Sequence, residues 1–235
     1  MLKRRPLSLV FCYAVVMKNY QYVLLDWDGN LAKTLDIWLE ACRIPLQKRG
    51  LKLTDEEIAA SFGMFEEQVR RWGFASEVDM IADEADEIAS LKLPKVDLYP
   101  DALEVLSRLK DLGKKTAVVT TSMHSQIRDA LNNHNMIDLF DVIIAWDDVT
   151  KHKPNAEPVE KAIRALGGNK NESIMIGDTE KDILAGQNAG IDTVLFYPPE
   201  HSKFYNFDKL KSHNPTYIIQ DFRQLIDIVS SVTLS

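Results

Sequence analysis

The sequence predicts an α/β fold: a parallel sheet with helices on both faces, and an all-helical segment inserted after the first strand. Three observations carry that reading. Short apolar, β-branched runs recur along the chain, helical patterns separate them, and residues 35 to 98 break the alternation with helical periodicity alone. Strands alternating with helices argue for a parallel sheet joined by crossover connections.

The strand-like runs are Tyr22–Leu25, Thr116–Val119, Val142–Ala145, Ser173–Ile176, Thr193–Phe196 and Tyr217–Ile219. The first is aromatic and β-branched without a polar break, so it reads as a strand buried on both faces. Helical patterns at Asp101–Leu112 and Pro158–Leu166 lie between strands. Gly113, Gly167 and Gly190 stand where helix C-caps favour glycine. The interrupting segment carries helical periodicity in Leu35–Arg49, Thr54–Phe62, Glu66–Trp72 and Val78–Leu91. Within it, Thr54-Asp55-Glu56-Glu57 reads as an N-cap with acidic first-turn residues suited to the helix dipole. Leu98-Tyr99-Pro100-Asp101 marks the return to the α/β pattern.

A chain of 235 residues with 46% apolar content can fill one full-sized core and a small accessory domain. Its net charge of −7 argues against nucleic acid as a partner. A small anionic substrate stays compatible, because a metal and one lysine can invert the local field. Two cysteines, Cys12 and Cys42, offer neither a disulfide framework nor a CxxC pair, which fits a reducing, cytoplasmic setting. Residues 1–20 read as an N-terminal extension. Lys3-Arg4-Arg5 precedes the apolar stretch Leu7–Met17, and Cys12-Tyr13-Ala14 loosely fits a cleavage site. The clean hydrophobic part is too short for a signal peptide, and the whole run is far below the roughly 20 residues that span a bilayer. No membrane partner is expected.

The chemistry concentrates at the ends of strands. Asp26 closes the first run at the carboxyl edge of the sheet, where open α/β sheets bind ligands. Asp28 points the same way if the backbone stays extended, and Gly29 permits a sharp turn. Two ionised carboxylates so placed need a cation or a shared proton. Alone, the segment also reads as a strand end followed by an Asp-Gly turn. Thr120-Thr121-Ser122 puts three hydroxyls where a strand gives way to a helix, which suits either a phosphate cradle or an ordinary cap. Lys153-Pro154-Asn155-Ala156-Glu157-Pro158 opens a helical pattern. Gly177-Asp178 ends another strand, and Asp178 and Asp182 share one face if that stretch is helical.

In this order and spacing the four segments resemble the signature set of the haloacid dehalogenase (HAD) superfamily of phosphohydrolases. The resemblance runs from about residue 21 to the C-terminus, and its layout is closest to phosphoglycolate-phosphatase-like members. It implies a Rossmann-like, HAD-like core formed by residues 21–34 and 99–235, with a helical cap over residues 35–98. It implies that Asp26 is the nucleophile and forms an aspartyl-phosphate, and that Asp28 is the general acid and base. Mg²⁺ is expected on Asp26, the backbone carbonyl of Asp28 and Asp178, with Asp182 orienting ligands or waters. Thr120, Thr121 and Lys153 are expected on the phosphate, with the proline after Lys153 selecting it over Lys151. The implied activity is Mg²⁺-dependent hydrolysis of a small-molecule phosphate monoester by a monomer or homodimer. An aspartate at position 28 sets such members apart from the dehalogenases, so haloacid substrates are not expected.

Three alternatives share the fold: a phosphoglucomutase-type phosphotransferase, a phosphonate hydrolase with a Schiff base on Lys48 or Lys52, and a catalytically silent binding module. The chain also departs from the family pattern at Asn30 and Lys33. Lys33 stands where the pattern is usually acidic, so it is either a solvated lysine or an attractor for a second anionic group on the substrate.

Overall fold

The computed structural model describes residues 18–230. The signal-peptide question therefore lies outside the described residues. In chain order the elements are β1 (Tyr22–Leu25), α1 (Leu35–Lys48), α2 (Asp55–Ala59), α3 (Phe65–Arg71), α4 (Val78–Lys92), α5 (Ala102–Asp111), β2 (Lys115–Val119) and α6 (His124–Asn133). They continue with β3 (Val142–Ile144), α7 (Glu157–Ala165), β4 (Ser173–Gly177), α8 (Glu180–Ala189), β5 (Asp192–Phe196), α9 (Phe207–Lys211), β6 (Tyr217–Ile219) and α10 (Arg223–Val229).

The six strands form one parallel sheet in the order β3-β2-β1-β4-β5-β6. Leu25 lies opposite Val118 on one side and Ile176 on the other, so β1 is central and its unbroken apolar run is explained. The chain runs outward from β1 in both directions, which opens a crevice at the carboxyl ends of β1 and β4. Alternate residues feed opposite faces. Val23, Leu25, Val118 and Ile176 join a core with Leu106 and Leu109 of α5, Leu131 of α6 and Leu225 of α10. Leu24, Ala117, Val119 and Met175 join a second core with Val159 and Ile163 of α7 and Ala185 of α8. Each fully buried Leu or Ile here contributes about 1.5–3 kcal/mol. Gly113, Gly167 and Gly190 follow α5, α7 and α8 with φ of 69°, 68° and 75°.

Four helices fill the stretch between β1 and α5. α1 packs along α4, and Leu46 of α1 meets Val69 of α3 and Val78 and Ile81 of α4. The buried positions of α4 are Val78, Ile81, Ala85 and Ala89, one stripe of an amphipathic helix. Thr54 caps α2 through a full capping box: its hydroxyl accepts the Glu57 N–H at 3.2 Å, and Glu57 accepts the Thr54 N–H at 2.8 Å.

Two boundaries differ from the sequence reading. Tyr20, placed by sequence in the extension, is fully buried in the main core and donates to Asp192 at 2.7 Å. Ala145 leaves β3 for a 3₁₀ turn over Trp146–Asp148, because the Asp148 carboxylate accepts the Ala145 N–H at 2.9 Å.

Candidate active site

Asp26 follows β1 directly and is buried at the crevice. Lys153 reaches it from the loop before α7, with Nζ 2.7 Å from Asp26 Oδ1, 2.6 Å from Asp182 Oδ1 and 3.0 Å from the Val119 carbonyl. An ammonium has three protons, and all three are used. The loop is held by Glu157, whose carboxylate accepts the backbone N–H groups of Thr150 and Lys151 at 2.9 and 3.1 Å. This explains the Lys-Pro-x-x-Glu spacing. Lys151 itself stays exposed.

Asp178 follows β4 and is fully buried; the Tyr205 hydroxyl faces its carboxylate, but neither oxygen has a hydrogen bond of full geometry among the described residues. Buried polar atoms are rarely left so. Gly29 is what admits this carboxylate. Its φ is +72°, and a Cβ there would stand 2.3 Å from Asp178 Oδ2. Asp26, Asp178 and Asp182 each offer an oxygen within 4.8 Å of the others. Burial and the Asp182 charge push Asp26 up to about 7, against the pull of Lys153. Burial and the charges of Asp182 and Asp26 raise Asp178 well above the usual carboxylate range. Burial alone would lower Lys153, but Asp182 and Asp26 raise it instead. Three buried carboxylates against one lysine leave a negative surplus, and hard oxygen donors in that number suit a divalent cation.

Asp178 and Asp182 would share a helix face only if the stretch between them were helical throughout. The helix α8 begins only at Glu180, so Asp178 lies outside it. Asp182 Oδ2 turns back to accept the Thr179 hydroxyl at 2.6 Å and its N–H at 3.1 Å, while Oδ1 accepts from Lys153. Gly177 allows this fold-back, since a Cβ would stand 2.3 Å from the Asp182 Cγ.

Asp28 is half-buried and both its oxygens are held. Trp38 Nε1 of α1 donates to Oδ1 at 3.1 Å, and the Ser122 hydroxyl donates to Oδ2 at 2.7 Å. Sequence reasoning missed both partners. Ser122 was visible as the third hydroxyl of its run, whereas nothing local marks Trp38. The two threonines separate: Thr121 lines the cavity, while the buried Thr120 accepts the Ser122 N–H at 3.1 Å and shapes the turn.

A cavity of about 790 Å³ lies over these groups. Asp26, Asp28, Thr121, Ser122 and Lys153 line it, together with Trp38, Phe62 and Phe65 from the segment between β1 and α5. Lys33 does not reach it: its ammonium lies 3.5 Å from Glu200 and 5.2 Å from the centre of the Tyr99 ring. Lys48 and Lys52 also lie off the cavity, and Lys48 is paired with Glu84 at 2.8 Å. The Schiff-base alternative thus has neither of its lysines in the cavity lining. No helix among the described residues is long and apolar enough to cross a membrane.

The family model for haloacid dehalogenase-like hydrolases matches residues 23–196. The chain is 38% identical over 134 residues to pyrophosphatase PpaX of Halalkalibacterium halodurans. That match spans 57% of this chain and 60% of the relative. It is 27% identical over 222 residues to pyrophosphatase PpaX of Bacillus cereus, spanning 91% of this chain and 98% of that one. A crystal structure of a predicted phosphoglycolate phosphatase from Haemophilus somnus shares the fold, with a TM-score of 0.78 at 20% identity, covering 90% of this chain and 99% of its own. The class is the α/β fold shared with that structure, and the relatives the chain matches in sequence are named for the cleavage of a phosphate compound. The chain belongs to the haloacid dehalogenase-like hydrolases.

Proposed function

We propose that the protein is a Mg²⁺-dependent phosphatase that hydrolyses a small-molecule phosphate monoester through an aspartyl-phosphate on Asp26. The observation that carries this reading is one lysine, Lys153, shared by Asp26 and Asp182 beside the fully buried carboxylate of Asp178. Asp26, Asp178 and the backbone carbonyl of Asp28 would hold the metal, and the bound ion supplies neutralisation of the phosphate charge.

The chain's own residues supply the rest. A carboxylate oxygen of Asp26 attacks phosphorus, and the bond from phosphorus to the leaving oxygen breaks. Asp28 acts as the general acid that passes a proton to that leaving oxygen. Asp28 then takes a proton from the water that attacks phosphorus, and the Asp26 oxygen departs as a carboxylate with release of inorganic phosphate. Trp38 and Ser122 hold the Asp28 carboxyl in place through both halves. Lys153 balances the charge of Asp26, and the Thr121 hydroxyl is available to the phosphate in the cavity. Residues 35–98 serve as a cap over the core of residues 21–34 and 99–235. The negative net charge and the near-absence of cysteine favour a cytoplasmic monomer or homodimer acting on a small metabolite rather than a nucleic acid.

The names of the PpaX relatives favour inorganic pyrophosphate as a second reading. The cavity is larger than pyrophosphate requires, and its aromatic wall of Trp38, Phe62 and Phe65 favours an organic leaving group. Phosphate release from a panel of metabolite phosphates and pyrophosphate, with Mg²⁺, tests both. Wild type should release phosphate and Asp26→Asn should not, since the near-isosteric amide removes the nucleophile. Equal release by a folded Asp26→Asn protein would overturn the mechanism. Conversion of a sugar phosphate to its isomer without release would mark a phosphotransferase instead.

A further inference from the structure

Four cationic side chains line the cavity: Arg70, Lys153, Lys181 and Lys209. Three of them have carboxylate partners. Lys153 is bound by Asp26 and Asp182, Lys209 lies 3.2 Å from Glu180, and Arg70 lies 3.3 Å from Glu66. Lys181 differs. Its ammonium donates to the Phe62 carbonyl, across the cavity seam from α8 to the turn after α2, and no carboxylate is in ion-pair contact with it among the described residues.

A carbonyl oxygen satisfies one donor but carries no formal charge, so the Lys181 cation is left without a counter-ion. Two further protons on the same nitrogen remain available. The side chain is half-buried and burial pulls its pKa down, with the charges of Asp182, Glu180 and Asp26 acting in the opposite direction from beyond ion-pair contact. Lys181 lines the same cavity as Asp26 and Lys153. Its anchor is firm, because the first turn of α8 is fixed by the two bonds that Thr179 donates, from its N–H and its hydroxyl, to the Asp182 carboxylate. The cavity wall also carries Glu180, which is paired with Lys209, and farther along the lining Glu56, Glu66, Glu67 and Asp86, which repel an anion. A second negative group on a ligand therefore has one favourable place to go.

We propose that Lys181 is a specificity-determining residue that binds a second anionic group, a carboxylate or a further phosphate, on the leaving side of the scissile phosphate. This deepens the phosphatase reading and rests on it. The attraction expected of Lys33 from sequence passes to a lysine whose position only the fold reveals.

The test uses ligands that cannot be hydrolysed, so it does not depend on turnover. Calorimetry with Mg²⁺ compares phosphonoacetate and 3-phosphonopropionate with their carboxamide counterparts. Wild type should bind at least one carboxylate about tenfold more tightly than its amide, as a charge-assisted hydrogen bond implies. Lys181→Met should bring that ratio close to one, and Lys181→Arg should restore it, with thermal unfolding confirming that each variant is folded. A purely structural role would shift both ligands of a pair together and leave the ratio intact. Binding of both without preference in wild type, or a ratio unchanged in Lys181→Met, overturns the role of Lys181 alone. Absence of binding by every phosphonate overturns the phosphate-site reading and this inference with it.

Discussion

Trp38 donates its indole N–H to the Asp28 carboxylate across 3.1 Å, which ties the orientation of that carboxyl to the first helix after β1. Ser122 holds the other oxygen from the opposite side, so Asp28 is clamped between α1 and the turn after β2. Trp38→Phe keeps most of the aromatic surface and deletes only the donor. Loss of one positioning hydrogen bond of about 1–1.5 kcal/mol should lower kcat roughly tenfold. Thermal stability should change little. Steady-state kinetics decide it: an unchanged kcat would separate the orientation of Asp28 from α1.

Gly29→Ala should damage the site more than its size suggests. The added Cβ would stand 2.3 Å from Asp178 Oδ2 and 2.8 Å from the Leu35 side chain, on a backbone with φ of +72°. Strain at such a φ and forced displacement of packed neighbours each cost about 1–3 kcal/mol. The expected outcome is a clear fall in the unfolding midpoint together with loss of phosphate release. A variant with wild-type midpoint and activity would show that the turn relaxes freely.

The sheet was legible because buried parallel strands are written as unbroken apolar runs, and all six were found within a residue or so of their ends. Asp26, Lys153, Asp178 and Asp182 meet because their strand ends and loops share one edge of that sheet, which their order along the chain indicates. What the sequence hid was mostly pairing at a distance. Ser122 and Asp28 are far apart in the chain, and whether Thr120 or Thr121 faces the cavity depends on the turn that follows β2. The spacing of Asp178 and Asp182 gives one helix face only in a continuous helix, but the helix starts after Asp178, and Asp182 is engaged by Thr179 and Lys153. A lysine's charge is visible in sequence; its counter-ion is not, which is why Lys33 drew attention and Lys181 did not.

Mg²⁺ should stabilise the folded protein whether or not substrate is present. The three buried carboxylates outnumber their lysine, and a cation bound only by the native state adds about 2.7 kcal/mol at a hundred times its dissociation constant. For a chain of this size that corresponds to a rise of about 5–10 °C in the unfolding midpoint. Asp178→Asn should invert the pattern. Without metal its midpoint should equal or exceed that of wild type, because a carboxylate whose ionisation is opposed by burial and by Asp182 and Asp26 is replaced by a neutral amide. With Mg²⁺ its shift should largely vanish. Differential scanning calorimetry in chelator and in Mg²⁺ gives both numbers. An equal Mg²⁺ shift in the two proteins would remove Asp178 from the metal site.

His201 sets an acid limit on stability. It is fully buried, its Nε2 lies 2.7 Å from the Tyr99 hydroxyl, and burial pulls its pKa down to about 3. A neutral ring can accept that phenol proton, whereas a protonated ring cannot. In the unfolded chain the same imidazole titrates near 6.5. Below about 6.5 the unfolded state therefore binds a proton that the folded state refuses until about pH 3. Stability is lost as pH falls through that window and regained as it rises. The full effect of one such proton is a slope of about 1.4 kcal/mol per pH unit. His201→Gln removes the titration while keeping a polar partner for Tyr99. Its stability near neutral pH should be lower, from imperfect packing, by about 1–2 kcal/mol. Between pH 6 and 4, however, the fall measured by urea unfolding should be shallower than in wild type by up to that slope (pH limits set by the roughly 6.5-to-3 window above). Other carboxylates titrate in the same range, but they do so in both proteins and cancel in the comparison. Parallel curves would mean that the folded state takes up the His201 proton as readily as the unfolded one, and that the ring is not held neutral by its burial.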